Sequence, residues 1–116
     1  MSFGDTIAQW DALYMNSDGE LYRADADTIT TMPVIALAVE SGTDGTTKEI
    51  ITQGFVYNSD WSWTIGGLVY ASGTLGGLTQ TAPAGDNDVV QIVGWASSAT
   101  SIYFDPDMTT IVLTVP

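Results

Sequence analysis

The sequence predicts an all-β fold, a small barrel or sandwich with little or no helix. Apolar segments of strand length recur about every 8 to 15 residues, and Gly, Pro, Asn and Asp separate them. No long stretch repeats its apolar residues at the helical period, and we expect only one helical turn, near residues 26 to 31. A chain of 116 residues has the size of a single domain.

The first predicted strands form a hairpin. Residues 12–15 and 20–23 have strand character, and the loop at residues 16–19 between them predicts a turn with Gly19 in the left-handed conformation. The continuous apolar run at residues 34–39 follows and predicts a strand that is buried on both faces. The remaining predicted strands are residues 49–52, 54–57, 68–70, 76–79, 89–96, 101–104 and 110–115.

The two halves of the chain resemble each other, over about residues 11–57 and 66–115. In each half a hairpin is followed by a polar segment that contains a proline, and then by an apolar strand. The match favours duplication of a β unit over chance similarity between two segments rich in Thr and Gly. The aligned segments are Leu13-Tyr14 with Val69-Tyr70, residues 35–38 with 93–96, and residues 49–51 with 101–103.

The repeat sets the expected domain boundaries. Residues 11–116 are predicted to form one β domain that contains both units. Residues 1–10 lie outside the repeat, and we expect them to form an N-terminal arm that reaches a neighbouring subunit. This start lacks the basic and apolar regions of a signal peptide, and no apolar run approaches the roughly 18 residues that span a bilayer.

The composition argues against several classes of function. The chain has 14 acidic and two basic residues and a net charge of −12, which disfavours binding to nucleic acid or to anionic membranes. It contains no Cys and no His, so it lacks the residues of a zinc–thiolate site and of a Ser-His-Asp triad. We therefore expect no enzymatic activity, no catalytic residue, no cofactor and no metal ion.

Three pairs of aspartates are the places to consider for calcium. Carboxylates two residues apart converge on a hard cation in some loops, but none of these pairs completes the calcium-loop pattern. Aspartate also initiates turns, and we interpret all three pairs as turns or solvated loops. The pairs are Asp25 with Asp27, Asp86 with Asp88, and Asp105 with Asp107.

The segment around Trp61 and Trp63 is the most distinctive local signal. In an extended chain these two residues lie on one face, since side chains alternate with a period of two. Two coplanar indole rings would form a platform on which a sugar ring stacks, so both residues are candidate ligand-binding residues. The alternative is that both rings pack in the core or at a subunit interface.

A set of short motifs lies between residues 54 and 106. They are Gly54-Phe55-Val56, Trp61-Ser62-Trp63-Thr64, Gly67-Leu68-Val69-Tyr70, residues 76–81, residues 90–94 and Phe104-Asp105-Pro106. Together these motifs resemble a module of tailed-bacteriophage structural proteins, which occurs in head fibre, capsid decoration and some tail proteins. The earlier residues 19–26 also resemble the upstream part of that module, so the resemblance covers most of the chain.

The resemblance implies a β-rich virion protein that assembles as a homotrimer. The short chain resembles a free-standing capsid decoration protein more than a tail adhesin. We therefore expect it to bind the major capsid protein on the outer capsid surface and to stabilise the shell. The alternative is a tail-associated module that recognises a host glycan through Trp61 and Trp63.

The number of aromatic residues favours an interface between subunits, as in the expected trimer. Four Trp and five Tyr are many for the core of so small a domain, and aromatic residues are favoured at interfaces. Some of them should therefore lie between subunits. The candidate interface residues, taken from the expected arm and from the tryptophans, are Phe3, Ile7, Trp10, Trp61, Trp63 and Trp95.

Overall fold

The computed structural model describes residues 1–115 and is almost entirely β, which confirms the predicted fold class. The helical content of this part is one 3-10 turn at Ile29–Thr31, where the sequence predicts a helical turn. The strands are β1 (Ala12–Met15), β2 (Leu21–Arg23), β3 (Ala36–Ala38), β4 (Ile50–Ile51), β5 (Gly54–Tyr57), β6 (Leu68–Ala71), β7 (Leu78–Thr79), β8 (Val89–Val90), β9 (Ile92–Ser98), β10 (Ser101–Phe104) and β11 (Ile111–Val112).

The strands form three antiparallel sheets. The first sheet has the order β2-β1-β3-β4, the second has the order β5-β10-β9-β6-β7, and β8 pairs with β11. The first two sheets pack on each other through a shared apolar core, as in a sandwich. The hairpin predicted at the start of the chain is present, and Gly19 has a φ of 82° in its loop.

The two larger sheets repeat one arrangement. The order β2-β1-β3-β4 in the first sheet corresponds to β7-β6-β9-β10 in the second, with β5 added at the outer edge. Residues aligned in the sequence also have equivalent partners across the strands. Leu13 pairs with Ala36 as Val69 pairs with Gly94, Leu37 pairs with Ile51 as Trp95 pairs with Tyr103, and Ala38 pairs with Ile50 as Ala96 pairs with Ile102.

The first sheet is buried on both faces. Ala12 and Leu37 point towards the second sheet and belong to the core between the sheets. Leu13 and the alanines of β3 on either side of Leu37 point the other way, into a second apolar cluster. All three residues of β3 are inaccessible to solvent, which confirms the prediction of a strand covered on both sides.

The N-terminal segment supplies the layer that covers this second cluster, and the expectation of an arm is wrong. Phe3 and Ile7 are 0% and 1% exposed and pack against the first sheet of their own chain. Backbone hydrogen bonds join Phe3 N to Thr46 O at 2.8 Å and Ile7 N to Gly42 O at 2.8 Å. Both side chains are core residues, so neither is available to a neighbouring subunit.

The predicted strand at residues 89–96 is divided at Gln91. β8 pairs with β11, whereas β9 pairs with β6 and β10. The side chain of Gln91 is fully buried, and it hydrogen-bonds both backbone groups of Val34. The predicted C-terminal strand is shortened to β11, and Pro116, the last residue of the predicted domain, lies outside the described residues.

Candidate functional site

The second sheet has one covered face and one open face. Val69, Ile102 and Phe104 point into the core between the sheets. On the opposite side, Phe55, Tyr103, Trp95 and Leu68 lie directly across from one another on four adjacent strands. We call this solvent-facing side of the second sheet the outer face, and its apolar residues are Phe55, Tyr57, Leu68, Ile92, Trp95 and Tyr103.

The rings of the outer face contact one another. The ring centroids of Phe55 and Tyr103 are 4.8 Å apart, and those of Trp95 and Tyr103 are 5.8 Å apart. Phe55 also meets Trp95 edge to face at 6.2 Å. Cross-strand aromatic pairs of this kind each contribute roughly 0.5 to 1 kcal/mol. Three rings of the outer face therefore form one contiguous aromatic cluster.

The outer face is exposed and carries no charge. Phe55 is 67% exposed, Tyr57 is 62% exposed and Trp95 is 41% exposed. None of the five strands that form the second sheet contains an Asp, Glu, Lys or Arg. In a chain with 14 acidic residues, an uncharged area of this size is available for apolar contact.

A cleft of about 440 Å³ borders the outer face beside Trp95. Leu68, Ile92 and Met108 form its apolar wall together with the indole ring, and Asp105 and Asp107 provide two carboxylates. Backbone hydrogen bonds from Asp105 N to Val93 O and from Asp107 N to Ile92 O fix this acidic segment along β9. The cleft thus combines an aromatic wall with hydrogen-bond acceptors.

Trp61 and Trp63 lie in the loop between β5 and β6 and are half-buried against the core. Their ring centroids are 5.5 Å apart, but the ring planes are inclined by 52°, so the indoles do not form the coplanar platform that the sequence predicts. Trp10, which has a φ of 71°, places its ring 6.0 Å from that of Trp61. Within residues 1–115, the indole N–H of Trp63 is a buried donor without a partner.

The predicted interface residues are therefore divided by the fold. Phe3 and Ile7 are buried in their own chain. Trp10, Trp61 and Trp63 pack against the core. Trp95 alone of the predicted set belongs to the outer face. Phe55, Tyr57 and Tyr103 were not among the predicted residues, although the alternation along β5 places Phe55 and Tyr57 on the face opposite to buried Val56.

The three aspartate pairs make turn contacts. The carboxylates of Asp25, Asp88 and Asp107 accept hydrogen bonds from the backbone N–H groups of Asp27, Gly85 and Thr109. The negative charge of Asp25 raises the pKa of Asp27 above its ordinary value, and burial adds to this effect. Residues 1–115 contain no group of three or more acidic, His or Cys side chains arranged to hold a metal ion.

Comparison with known proteins identifies no relative. No protein-family model matches this chain, and no curated protein or solved structure is similar to it. No helix within residues 1–115 has the length and apolar character that a membrane crossing requires. The sequence motifs and the geometry of the outer face are therefore the features that bear on function.

Proposed function

We propose that this chain is a structural protein of a tailed-bacteriophage virion. It binds the major capsid protein on the outer surface of the capsid, as a homotrimer, and stabilises the shell without catalysing a reaction. The observation that carries this proposal is the set of motifs between residues 54 and 106 that resembles a module of phage structural proteins. Most of these motifs lie on β5, β6, β7, β9 and β10, and the motif at Trp61 and Trp63 packs against the core, which supports a structural role for them.

The distribution of charge supports a location outside the capsid. A chain with a net charge of −12 is repelled by packaged DNA, and its two basic side chains each face a carboxylate. Arg23 Nε lies 3.0 Å from Asp5 Oδ2, and Lys48 Nζ lies 3.7 Å from Glu40 Oε1. Both cations are therefore paired, and the remaining acidic residues give the charged part of the surface a negative sign.

Stabilisation of the shell follows from mass action. A protein that binds the assembled shell and not its separated subunits favours the assembled state. The gain is about 2.7 kcal/mol per site when the free protein is at a hundred times its Kd. Many such sites on one shell add up, so weak individual contacts are sufficient.

Cryo-electron microscopy of virions from the parent phage tests this proposal. We expect density for the chain on the outer capsid surface, and we expect particles that lack the protein to release DNA at a lower temperature. Supplying the purified chain to those particles is the control and should restore their stability. Density at the tail tip, or virions without the protein, would contradict the proposal.

A second candidate function is recognition of a host glycan, and the cleft beside Trp95 is the observation that favours it. An indole wall packs against the apolar face of a sugar ring, while the carboxylates of Asp105 and Asp107 accept hydrogen bonds from sugar hydroxyls. This location replaces the Trp61 and Trp63 platform, because those two rings are not coplanar.

A glycan array with tryptophan fluorescence as the readout separates the two functions. If the chain binds glycan in the cleft, Trp95→Ala should abolish binding and Trp61→Phe, which alters a tryptophan outside the cleft, should retain it. Binding that is lost in Trp61→Phe and retained in Trp95→Ala would exclude the cleft as the site. No binding to any glycan would remove this candidate function.

A further inference from the structure

We infer that the outer face of the second sheet is a self-association surface, and that its occupant is a second copy of this chain. The inference rests on the homotrimer of the proposed function and names the surface through which the copies meet. Its test uses the purified chain without a capsid, so it can fail while binding to the capsid stands. Three observations carry it: the equivalence of the two sheets, the size of the exposed apolar area, and the absence of charge from the strands beneath it.

Because the two sheets are equivalent, the first sheet has a face that corresponds to the outer face of the second sheet. The residues of the first sheet that correspond to Leu68, Trp95 and Tyr103 are Ala12, Leu37 and Ile51. Those three residues pack against the core between the sheets, so this face of the first unit is covered by the second unit. Within residues 1–115 no third layer covers the same face of the second unit.

The exposed apolar area is in the range of the largest patch on a typical monomer, roughly 300–600 Å², and such a patch is often functional. Scaled from about 200 Å² per aromatic side chain, Phe55, Tyr57 and Trp95 together present roughly 350 Å² to solvent. Leu68 and Ile92, which are 44% and 36% exposed, extend the area. A stable interface buries about 800 Å² on each partner, and its centre is apolar and rich in aromatic residues. The outer face has the size and composition of such a centre.

The charge distribution favours a second copy as the occupant. A basic partner or a nucleic acid finds no carboxylate or cation to pair with on the strands of the outer face. Two copies of this chain, each with a net charge of −12, approach each other at least cost where neither carries charge. The carboxylates of Asp105 and Asp107 lie at the border of the face, where solvent screens them.

Sedimentation equilibrium and native mass spectrometry of the purified chain test the inference. We expect the wild type to form an assembly of two or more chains, with a Kd on the order of 10 μM or lower. The double variant Phe55→Ser/Tyr57→Ser should associate at least about tenfold more weakly. The matched control is Met15→Ser/Ile29→Ser, which removes two exposed apolar side chains from the first half of the chain and should associate like the wild type.

Circular dichroism verifies that each variant remains folded. If the double variant unfolds, Tyr57→Asp replaces it, since this side chain is 62% exposed and the new carboxylate brings like charges together in the assembly. A wild type that remains a single chain at about 100 μM, at both low and high salt, would overturn the inference. Equal association of the double variant and its control would also overturn it. So would a monomer that binds a glycan through Phe55 and Tyr57.

Discussion

Gln91 is the one fully buried polar side chain among residues 1–115, and it joins three segments of the chain. Its Oε1 accepts a hydrogen bond from Val34 N at 2.7 Å, and its Nε2 donates to Val34 O at 2.9 Å and to Asp107 O at 2.8 Å. The amide thus pairs both backbone groups of the fully buried Val34. A buried amide is stabilising in this position because those two groups would otherwise be unpaired.

We predict that Gln91→Leu lowers the free energy of unfolding by about 3 kcal/mol. The leucine fills most of the space, but it leaves the buried N–H and carbonyl of Val34 without partners and removes the hydrogen bond to Asp107 O. Urea unfolding monitored by fluorescence measures the change. Gln53→Leu is the matched control, since Gln53 is exposed and donates one hydrogen bond, to Tyr103 Oη. A loss in Gln91→Leu no larger than in Gln53→Leu would show that the buried bonds contribute little.

Tyr22 and Asp18 form a hydrogen bond in the first hairpin. Tyr22 Oη donates to Asp18 Oδ2 at 2.6 Å. The bond needs a protonated phenol as its donor and an ionised carboxylate as its acceptor. It therefore raises the pKa of Tyr22 to about 12 and lowers the pKa of Asp18. Its stabilising effect through Tyr22 is complete below the ordinary tyrosine pKa of about 10 and is lost as the pH rises through about 12.

We predict that Asp18→Asn lowers the pKa of Tyr22 from about 12 towards the ordinary value of 10.0. An NMR titration of the Tyr22 ring resonances measures the shift. Asp60→Asn is the control, because it removes the same charge without touching Tyr22. An unchanged Tyr22 titration in Asp18→Asn would mean that this hydrogen bond is absent in solution.

At the scale of elements, the N-terminal segment behaves as a covering layer of the first sheet. We predict that Phe3→Ala lowers the free energy of unfolding by about 3 to 5 kcal/mol, since it removes a fully buried ring. Met1→Ala, at a position that is 52% exposed, should change it by less than about 0.5 kcal/mol. Thermal and urea unfolding give both values. Equal effects of the two substitutions would support a detached arm.

The strands show which elements the sequence could predict. The hairpin loop with Gly19 was predictable because the turn chemistry is local, and the repeat alignment anticipated which strands are equivalent. The role of residues 1–10 was not predictable, because the spacing of four between Phe3 and Ile7 fits one face of a helix and one face of a strand equally well. Their burial depends on contacts with residues 42 and 46, far along the chain.

The outer face shows why the candidate site was only partly predictable. β5 reads Phe55-Val56-Tyr57, so apolar residues point to both faces of the sheet. A period of two assigns faces only when one face is polar. The sequence therefore drew attention to the tryptophans, of which only Trp95 lies on the outer face. The order in which the layers stack decides which face of the second sheet stays uncovered. That order depends on tertiary packing and cannot be read from the sequence of one strand.

At the scale of the whole molecule, the net charge of −12 sets how association should depend on salt. We predict that self-association becomes tighter as ionic strength rises from about 0.05 to 1 M, because the Debye length falls to about 3 Å and the repulsion between acidic chains is screened. Sedimentation equilibrium across a salt series measures this. Weaker association at high salt would indicate ion pairs across the contact, contrary to an uncharged interface.

The N-terminal segment, the first sheet and the second sheet are stacked as layers, and the two ends of this stack differ. The N-terminal segment closes one end, because Phe3 and Ile7 occupy the apolar face there. The other end is the outer face, and each copy has only one. If two or three copies meet through their outer faces, each copy has used the one such face that it has. Assembly through this surface alone would then be finite, and a filament would not grow from it.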